Sequence, residues 1–396
     1  MRAWTVANVE PQAQEFNRKE KFNKALLEKL GRDVEVLCPT VSLEYGGAGL
    51  DALGACIVCE ELSRSDPAFA LSYLSHSILF ANNLYENGSD DLKRKYLPLC
   101  ARGDIIGGMA MSEPDAGTDV LGMRSRAVSH GTGEWLLNGT KTWITNGCHD
   151  DDILGDAFLV YAKTTDTKLS LFLVEKGVSG FRLGRQIKNK LGMRASPTAE
   201  LVFEDAPAFL VGDLHQGTKP MMRNLELERL TLAAMSCGIA RRCVDVTRDY
   251  VARRRAFSGQ VLADFGQIQR HLADSYADYK AARAFLYDVA GGAARQGGGG
   301  DDGGTAPKPS KDRDDGTSRL DSDAVKLVAA KMATTVADRA IQCLGGNGYV
   351  GDYVVERLWR DAKLLEIGGG TLESHQKNIT RDLIKYYHNT DLPDDS

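Results

Sequence analysis

The spacing of apolar residues changes twice along the chain and divides it into three regions. Up to about residue 106, apolar residues such as Ile57, Leu62 and Leu71 recur near helical spacing, which predicts an N-terminal helical domain. Short apolar runs of strand type follow within 107–212, and they predict a small antiparallel β domain. From about 213 to 396 helical periodicity returns, so we expect a C-terminal helical domain. The predicted fold is mainly α with a central β domain.

Local signals refine this division. The strand-type runs span 157–163, 169–175 and 200–203, and long helices are predicted over 225–254 and 324–344. Asn138-Gly139 lies between two apolar runs and predicts a hairpin turn, because both residues tolerate positive φ.

Two further signals concern the C-terminal domain. Asp321, Ser322 and Asp323 offer N-cap residues for the second long helix. Eight of the fourteen residues in 291–304 are glycine and polar sequence follows. Such a composition buries too little apolar surface to offset the entropy of ordering. We therefore expect a disordered insert near 292–320.

Composition narrows the classes of protein. The chain has 396 residues and is 43% hydrophobic, enough for roughly two to three domains with sizeable cores. No apolar run approaches the roughly 20 residues of a membrane span, and the net charge of −5 argues against a nucleic-acid partner. Eight cysteines are too few for a disulfide scaffold. Residues 1–30 lack the apolar segment of a signal peptide, so we expect a cytosolic protein or the mature form of an imported one.

Two short segments match known functional motifs, but the sequence around each argues against that function. Cys56 and Cys59 form a C-x-x-C pair, but it lies in an apolar helical pattern without a second pair. Residues 346–351 match G-x-G-x-x-G, yet they follow a predicted helix, whereas a dinucleotide-binding fingerprint follows a strand. The seven histidines are scattered, and we expect no metal site.

Glycine-rich polar segments are the remaining candidates for chemistry. Each alone is more often an ordinary turn, but their order and spacing together are specific. They span 109–119, 141–147, 190–200, 342–349 and 360–371.

In combination these segments resemble the acyl-CoA dehydrogenase family over nearly the whole chain. The resemblance implies a helical N-domain (1–106), a β-barrel-like middle domain (107–212) and a C-terminal four-helix bundle (213–396). It also implies FAD, an acyl-CoA substrate, electron-transfer flavoprotein as electron acceptor and a homotetramer. The details favour a short branched-chain substrate, with isovaleryl-CoA oxidised to 3-methylcrotonyl-CoA in leucine catabolism. The compartment would be the mitochondrial matrix in a eukaryote and the cytoplasm in a bacterium.

The catalytic base is the most informative residue. A carboxylate must remove the α-proton while hydride leaves the β-carbon. Most members carry it directly before the Gly-Thr of the last segment, but Gly369 stands there in this chain. Branched- and long-chain members place it instead on a helix, in a string that matches Leu225-Glu-Leu-Glu-Arg229 here. The resemblance thus assigns the base to Glu228, with Glu366 and Glu373 as rivals.

The resemblance also implies the residues that bind each ligand. Those expected to contact FAD are Met109, Ala110, Met111, Ser112, Gly117, Thr118, Trp143, Ile144, Thr145, Arg255, Gln342, Gly346, Thr371 and Glu373. Several of them would serve a neighbouring subunit. Those expected to contact the acyl-CoA are Thr118, Glu226, Arg229, Gly369 and Gly370.

Departures from the family pattern keep alternatives open. Gly266 replaces an expected FAD-binding glutamine, for which Gln267 is a possible substitute, and Leu365 replaces a tyrosine. Two alternatives therefore stand beside the branched-chain function. One is a dehydrogenase of other chain length or branching, and the other is a non-catalytic binding member of the superfamily.

Overall fold

Helices occupy the first hundred residues of the structure, a computed structural model that describes residues 1–131, 133–150, 153–257, 259–295 and 317–389. Asn23, Asp51 and Ser89 cap three of them by accepting hydrogen bonds from backbone N–H groups of the first turn. The helices are α1 (Arg2–Asn8), α2 (Glu10–Lys19), α3 (Lys24–Val34), α4 (Ala52–Ser65), α5 (Pro67–Leu74), a π-helical segment (Ser75–Asn82), α6 (Asn83–Asn87) and α7 (Asp90–Arg102).

A mainly antiparallel sheet follows, as the strand-type runs predict. Its central strand is long and pairs with three neighbours, while the first strand joins the edge in a parallel pairing. The strands are β1 (Gly107–Ala110), β2 (Arg126–Ser129), β3 (Trp135–Thr145), β4 (Cys148–Asp150), β5 (Ile153–Leu154), β6 (Ala157–Lys163), β7 (Leu169–Glu175), β8 (Phe181–Gln186) and β9 (Thr198–Val211).

Strand β6 shows how the sheet joins the helices. Successive side chains of a strand point to opposite faces. Leu159 and Tyr161 lie in a core shared with the N-terminal helices, while Phe158 and Val160 lie in the core of the sheet itself. Because both faces are buried, β6 is continuously apolar.

The predicted hairpin at Asn138-Gly139 is wrong. Strand β3 runs through both residues, and its register with β9 shifts there. Asn138 exchanges two hydrogen bonds with Asp205, and a Cβ at Gly139 would lie 2.3 Å from Ser125 Oγ. The Asn-Gly pair therefore forms an irregularity within a strand.

The C-terminal region is a helical bundle. Its elements are α8 (Thr218–Val251), β10 (Arg255–Ala256), β11 (Gln260–Val261), α9 (Gly266–Arg295), α10 (Thr317–Leu344), α11 (Gly346–Tyr349), α12 (Val355–Leu365) and α13 (Leu372–Asn389).

Three predicted boundaries need correction. Helix α8 starts at Thr218 rather than 225, because Pro220 lies in the first turn, where no intrahelical N–H is needed. Helix α10 starts at Thr317, so Asp323 is an interior residue and not a cap. The predicted insert near 292–320 overlaps α9 and α10 at its ends, and residues 296–316 lie outside the described residues.

Helix α8 is held from both sides. Helices of the N-terminal and C-terminal regions share one hydrophobic core. Helix α4 approaches α8 so closely that a Cβ at Gly238 would lie 2.1 Å from Ser63 Oγ. Arg64 adds an ion pair with Asp245 at 2.7 Å.

In the part of the chain that the structure describes, no helix is long and apolar enough to cross a membrane.

Candidate active site

Glu228 lies on α8 and is buried, with 7% of its surface exposed. Its Oε2 atom has no hydrogen-bond partner among the described residues. Burial raises the pKa of Glu228 to about 7, against the opposing influence of the nearby cations Arg229 and Lys326. A carboxyl group that is desolvated, unpaired and balanced near neutral pH suits a general base.

Gly369 brings the backbone of the loop between α12 and α13 next to this carboxyl. A Cβ built on Gly369 would lie 3.5 Å from Glu228 Oε1 and 2.2 Å from Leu232 Cδ1. Gly369 and Gly370 have φ of 66° and 95°, the left-handed region that favours glycine. The sequence separates Glu228 and Gly369 widely, and the fold brings them together.

The two rival carboxylates are less suitable. Glu366 Oε2 already accepts a hydrogen bond from Lys363 at 2.5 Å. Glu373 is exposed in the first turn of α13, and hydrogen bonds from its own backbone N–H and from Thr371 lower its pKa. Only Glu228 among the three combines burial with an unpaired oxygen.

Trp143 marks the side of the site where FAD is expected. It is 62% exposed although it lies within β3, and its φ of 62° is rare for a bulky residue. Such strained backbone persists where the surroundings enforce it and is concentrated at ligand sites. The free indole face offers a planar, apolar surface, which fits one side of a flavin.

A buried ion pair holds the segment 109–119 against β3. Lys141 donates to Glu113 Oε1 at 2.8 Å and to the carbonyl of Met111 at 2.9 Å. Glu113 also accepts from the N–H groups of Arg124 and Ser125. Burial lowers the pKa of Lys141 to about 8, opposed by Glu113. The pair thus joins the 109–119 segment to the part of β3 that precedes Trp143.

The other expected FAD residues in this region divide by exposure. Ala110 and Ile144 are buried in the core of the sheet, so only their backbone atoms can reach a ligand. Met109, Met111, Ser112 and Thr145 are half-buried, and Gly117 and Thr118 are exposed in the loop.

Two further segments meet at α12. Met193 N donates to Asp361 Oδ1 at 2.5 Å, and Arg360 donates to the carbonyl of Leu191 at 2.9 Å. A Cβ at Gly192 would lie 2.1 Å from the carbonyl oxygen of Arg360. These contacts dock the loop 190–200 on the helix that leads into Gly369.

Not every predicted site residue joins this group. Gln342 lies sixteen residues after Lys326 on α10, which is about 24 Å along the helix axis. Gly346 and Arg255 lie beyond the ends of α10 and α8, where Asn347 donates to Tyr250. All three are exposed. The two candidates for the missing glutamine, Gly266 and Gln267, are exposed in the first turn of α9.

The predicted acyl-CoA contacts lie on three elements. Arg229 is buried beside Glu228 and forms an ion pair with Asp323 through its Nε atom at 3.1 Å. Glu226 is half-buried on α8, Gly370 adjoins Gly369, and Thr118 is exposed in the 109–119 loop. Thr371, predicted to contact FAD, lies at the start of the loop-to-helix turn and shares a hydrogen bond with Ser374.

Sequence reasoning missed several polar residues of the site. Lys326, Asp323 and His375 are buried next to Gly370. Lysine and aspartate inside an amphipathic helix are normally read as exposed positions, so only their spacing on the apolar face of α10 could have indicated burial.

Known acyl-CoA dehydrogenases match this chain over most of its length. Sequence profiles of acyl-CoA dehydrogenases match the N-terminal domain at 1–104, the middle domain at 108–206 and the C-terminal domain at 215–384. The chain is 40% identical to the mitochondrial isovaleryl-CoA dehydrogenase of Solanum tuberosum over 387 residues, 96% of this chain and 87% of that one.

The chain belongs to the acyl-CoA dehydrogenase family.

Other members give similar matches. Identity to the mitochondrial 2-methylacyl-CoA dehydrogenase of Solanum tuberosum is also 40%, over 96% of this chain and 87% of that one. The solved structure of butyryl-CoA dehydrogenase from Megasphaera elsdenii superposes with a TM-score of 0.87 at 29% identity, covering 97% of this chain and 96% of that one. The predicted resemblance and fold are confirmed, and the protein is an FAD-dependent acyl-CoA dehydrogenase.

Proposed function

We propose that this acyl-CoA dehydrogenase oxidises a short branched-chain acyl-CoA, with isovaleryl-CoA as the preferred substrate and 3-methylcrotonyl-CoA as the product. The observation that carries the proposal is the unpaired, buried carboxyl of Glu228 beside Gly369. The Leu225–Arg229 string and the 361–371 segment favour the branched-chain substrate. Leu232 adds an apolar side chain next to the base.

Glu228 removes the α-proton in this proposal. Its desolvated carboxylate is a stronger base than an exposed one, and its free Oε2 can accept the proton without breaking an existing hydrogen bond. The bound FAD supplies the acceptor for the hydride that leaves the β-carbon.

Backbone donors stabilise the charge that develops on the thioester oxygen. The N–H of Gly369 is placed next to Glu228 by a positive-φ backbone. A fixed main-chain donor loses little energy in reorientation during the reaction. Arg229 and Glu226 are proposed to contact the CoA part, where Arg229 Nη1 is buried without a hydrogen-bond partner among the described residues.

FAD would be held by residues of two subunits. Ser112, Thr118, Trp143 and Thr145 are proposed to contact the FAD that serves Glu228 of the same subunit. Arg255, Gln342 and Gly346 lie too far along the bundle to serve the same FAD, so we propose that they bind the FAD of a neighbouring subunit in a homotetramer. Electrons would pass to electron-transfer flavoprotein, in the mitochondrial matrix of a eukaryote or the cytoplasm of a bacterium.

The test is anaerobic reduction of the purified yellow protein. Isovaleryl-CoA, 2-methylbutyryl-CoA, butyryl-CoA and octanoyl-CoA are mixed with it separately, and loss of the flavin absorbance is followed. We expect the fastest reduction with isovaleryl-CoA. Much faster reduction by octanoyl-CoA would contradict the substrate and leave the reaction class intact. Fastest reduction by 2-methylbutyryl-CoA would favour the second candidate, a 2-methylacyl-CoA dehydrogenase.

A further inference from the structure

The carbonyl of Gly370 is held by buried charged side chains. Lys326 Nζ donates to Gly370 O at 2.7 Å, and His375 Nε2 lies 3.0 Å from the same oxygen. The other ring nitrogen of His375 contacts Asp323 Oδ1. Lys326 and Asp323 have no exposed surface and His375 has 1%. We call these three residues the carbonyl clamp.

Both hydrogen-bonding positions of this carbonyl oxygen are occupied, because a carbonyl oxygen has two lone pairs. The two nitrogens of His375 both face oxygen acceptors. The clamp thus directs two side-chain nitrogens, from α10 and α13, at one main-chain atom.

This arrangement is a costly way to hold a loop. Burial lowers the pKa of Lys326 to about 8, although Glu228 opposes the shift. Buried charges seldom add net stability compared with well-packed apolar residues. Their presence beside a reacting group therefore points to a role in the reaction.

The clamp also reaches the catalytic base. Asp323 contacts His375 and forms the ion pair with Arg229, the residue next to Glu228. The charged groups that face the clamp are Glu228 and Arg229 from α8, Glu366 after α12 and Arg319 from α10. Tyr161 from β6 faces Glu228. Buried contacts therefore run from Arg229, the neighbour of the base in sequence, to the loop that carries Gly369.

We propose that Lys326, His375 and Asp323 are positioning residues that fix the Gly369–Gly370 backbone against Glu228, so that the thioester carbonyl and the α-carbon are held together in the reactive geometry. Two adjacent glycines have no side chains to anchor them, so contacts to their backbone must hold the loop. The inference rests on the proposed reaction, because it assigns the loop to the thioester.

The experiment uses the FAD-loaded enzyme and three variants. Lys326→Met removes one donor and a charge, His375→Ala removes the other donor, and His375→Gln restores a donor to the carbonyl. Lys280→Met is the control, an exposed lysine of α9. For each, the rate constant of flavin reduction, the dissociation constant for acyl-CoA and hydrogen exchange of the peptide covering 366–373 are measured.

We expect the reduction rate to fall roughly 10–100-fold in Lys326→Met and His375→Ala, since about 1 Å of misplacement can cost 10²-fold. Substrate dissociation should change far less than the rate, and backbone exchange in 366–373 should accelerate. His375→Gln should recover part of the rate. The pH at which reduction is half-maximal should rise in Lys326→Met, because a cation that favours the ionised form of Glu228 is lost.

Wild-type rates of flavin reduction and of hydrogen exchange in both Lys326→Met and His375→Ala would overturn the proposed role of the clamp. So would equal losses of rate, substrate affinity and thermal stability, which indicate a structural role alone. If Lys326→Met does not fold, His375→Ala and His375→Gln test the proposal by the same criteria. Failure of the proposed function is distinct, since it would appear in the wild-type enzyme as much faster flavin reduction by another acyl-CoA than by isovaleryl-CoA.

Discussion

Two buried charge clusters flank the active site, and they differ in how completely their hydrogen bonds are made. In the first cluster, both oxygens of Glu113 accept hydrogen bonds, and Lys141 Nζ contacts three acceptors. On the side of the base, Glu228 Oε2, Arg229 Nη1 and Asp323 Oδ2 have no hydrogen-bond partner in the described part of the chain.

This difference distinguishes a cluster with a structural role from a cluster with a proposed catalytic role. A satisfied buried network rigidifies the fold around it, whereas unpaired buried groups are costly and need an explanation. The role of the Glu113–Lys141 pair is to join β3 to the 109–119 segment. The cluster around Glu228 keeps unpaired polar atoms, as a proposed ligand-binding site would.

The largest effect is expected from removing the base. Glu228→Gln keeps the side-chain volume but cannot accept the α-proton, so the rate of flavin reduction by acyl-CoA should fall by at least about 10²–10⁴-fold. Stopped-flow absorbance measures it, and flavin content should stay normal. Glu366→Gln and Glu373→Gln are the controls. A large loss in either of them, with near-normal reduction in Glu228→Gln, would move the base elsewhere.

Breaking the satisfied pair should affect folding rather than chemistry. Lys141→Met leaves Glu113 buried without its cation, which costs about 3–5 kcal/mol of unfolding free energy. Denaturant unfolding and flavin content report the loss. Glu113→Gln added to Lys141→Met should recover part of the stability, because no unpaired charge remains. No recovery would show that the pair acts through packing alone.

The raised pKa of Glu228 predicts a pH-dependent stability. The native state binds this proton up to about pH 7, while the unfolded carboxyl has its ordinary value of 4.5. Wild-type stability should therefore fall as pH rises between these values. Relative to Glu228→Gln the fall is about 3 kcal/mol, complete above the native pKa. Unfolding at pH 4.5 and pH 8 measures it, with the exposed Glu44→Gln as control. Parallel curves for wild type and Glu228→Gln would contradict the assignment.

Moving the carboxylate to the loop should produce the smallest effect. In a Glu228→Gly background, Gly369→Glu brings its Cβ 2.2 Å from Leu232 Cδ1 and requires a positive φ. We expect little recovery of flavin reduction from this pair alone, and more when Leu232→Ala makes room. Recovery that is independent of Leu232 would show that the loop adjusts freely, against the role of the clamp.

The regular elements could be predicted because their signals are local, and the assignment of the base stays a prediction. Strands β6 and β7 follow from continuous apolar runs, and α8 follows from helical periodicity. Glu228 was assigned because its string stands in the family position and Gly369 cannot act as a base. Boundaries were less predictable, since Thr218 and Thr317 extend their helices through residues whose polar character resembles a cap.

What only the tertiary structure decided is which polar residues are buried together. Asn138-Gly139 became an irregularity in a strand because Ser125 and Asp205 lie against it. Asp323 became a partner of Arg229 and His375 rather than a helix cap. The pKa of Glu228 depends on the burial of its carboxyl group in the folded chain. The sequence by itself determined the regular elements and the polar side chains that they carry, because both can be read from local patterns. Distances and desolvation depend on residues far apart in the chain, and therefore only the folded structure determines them.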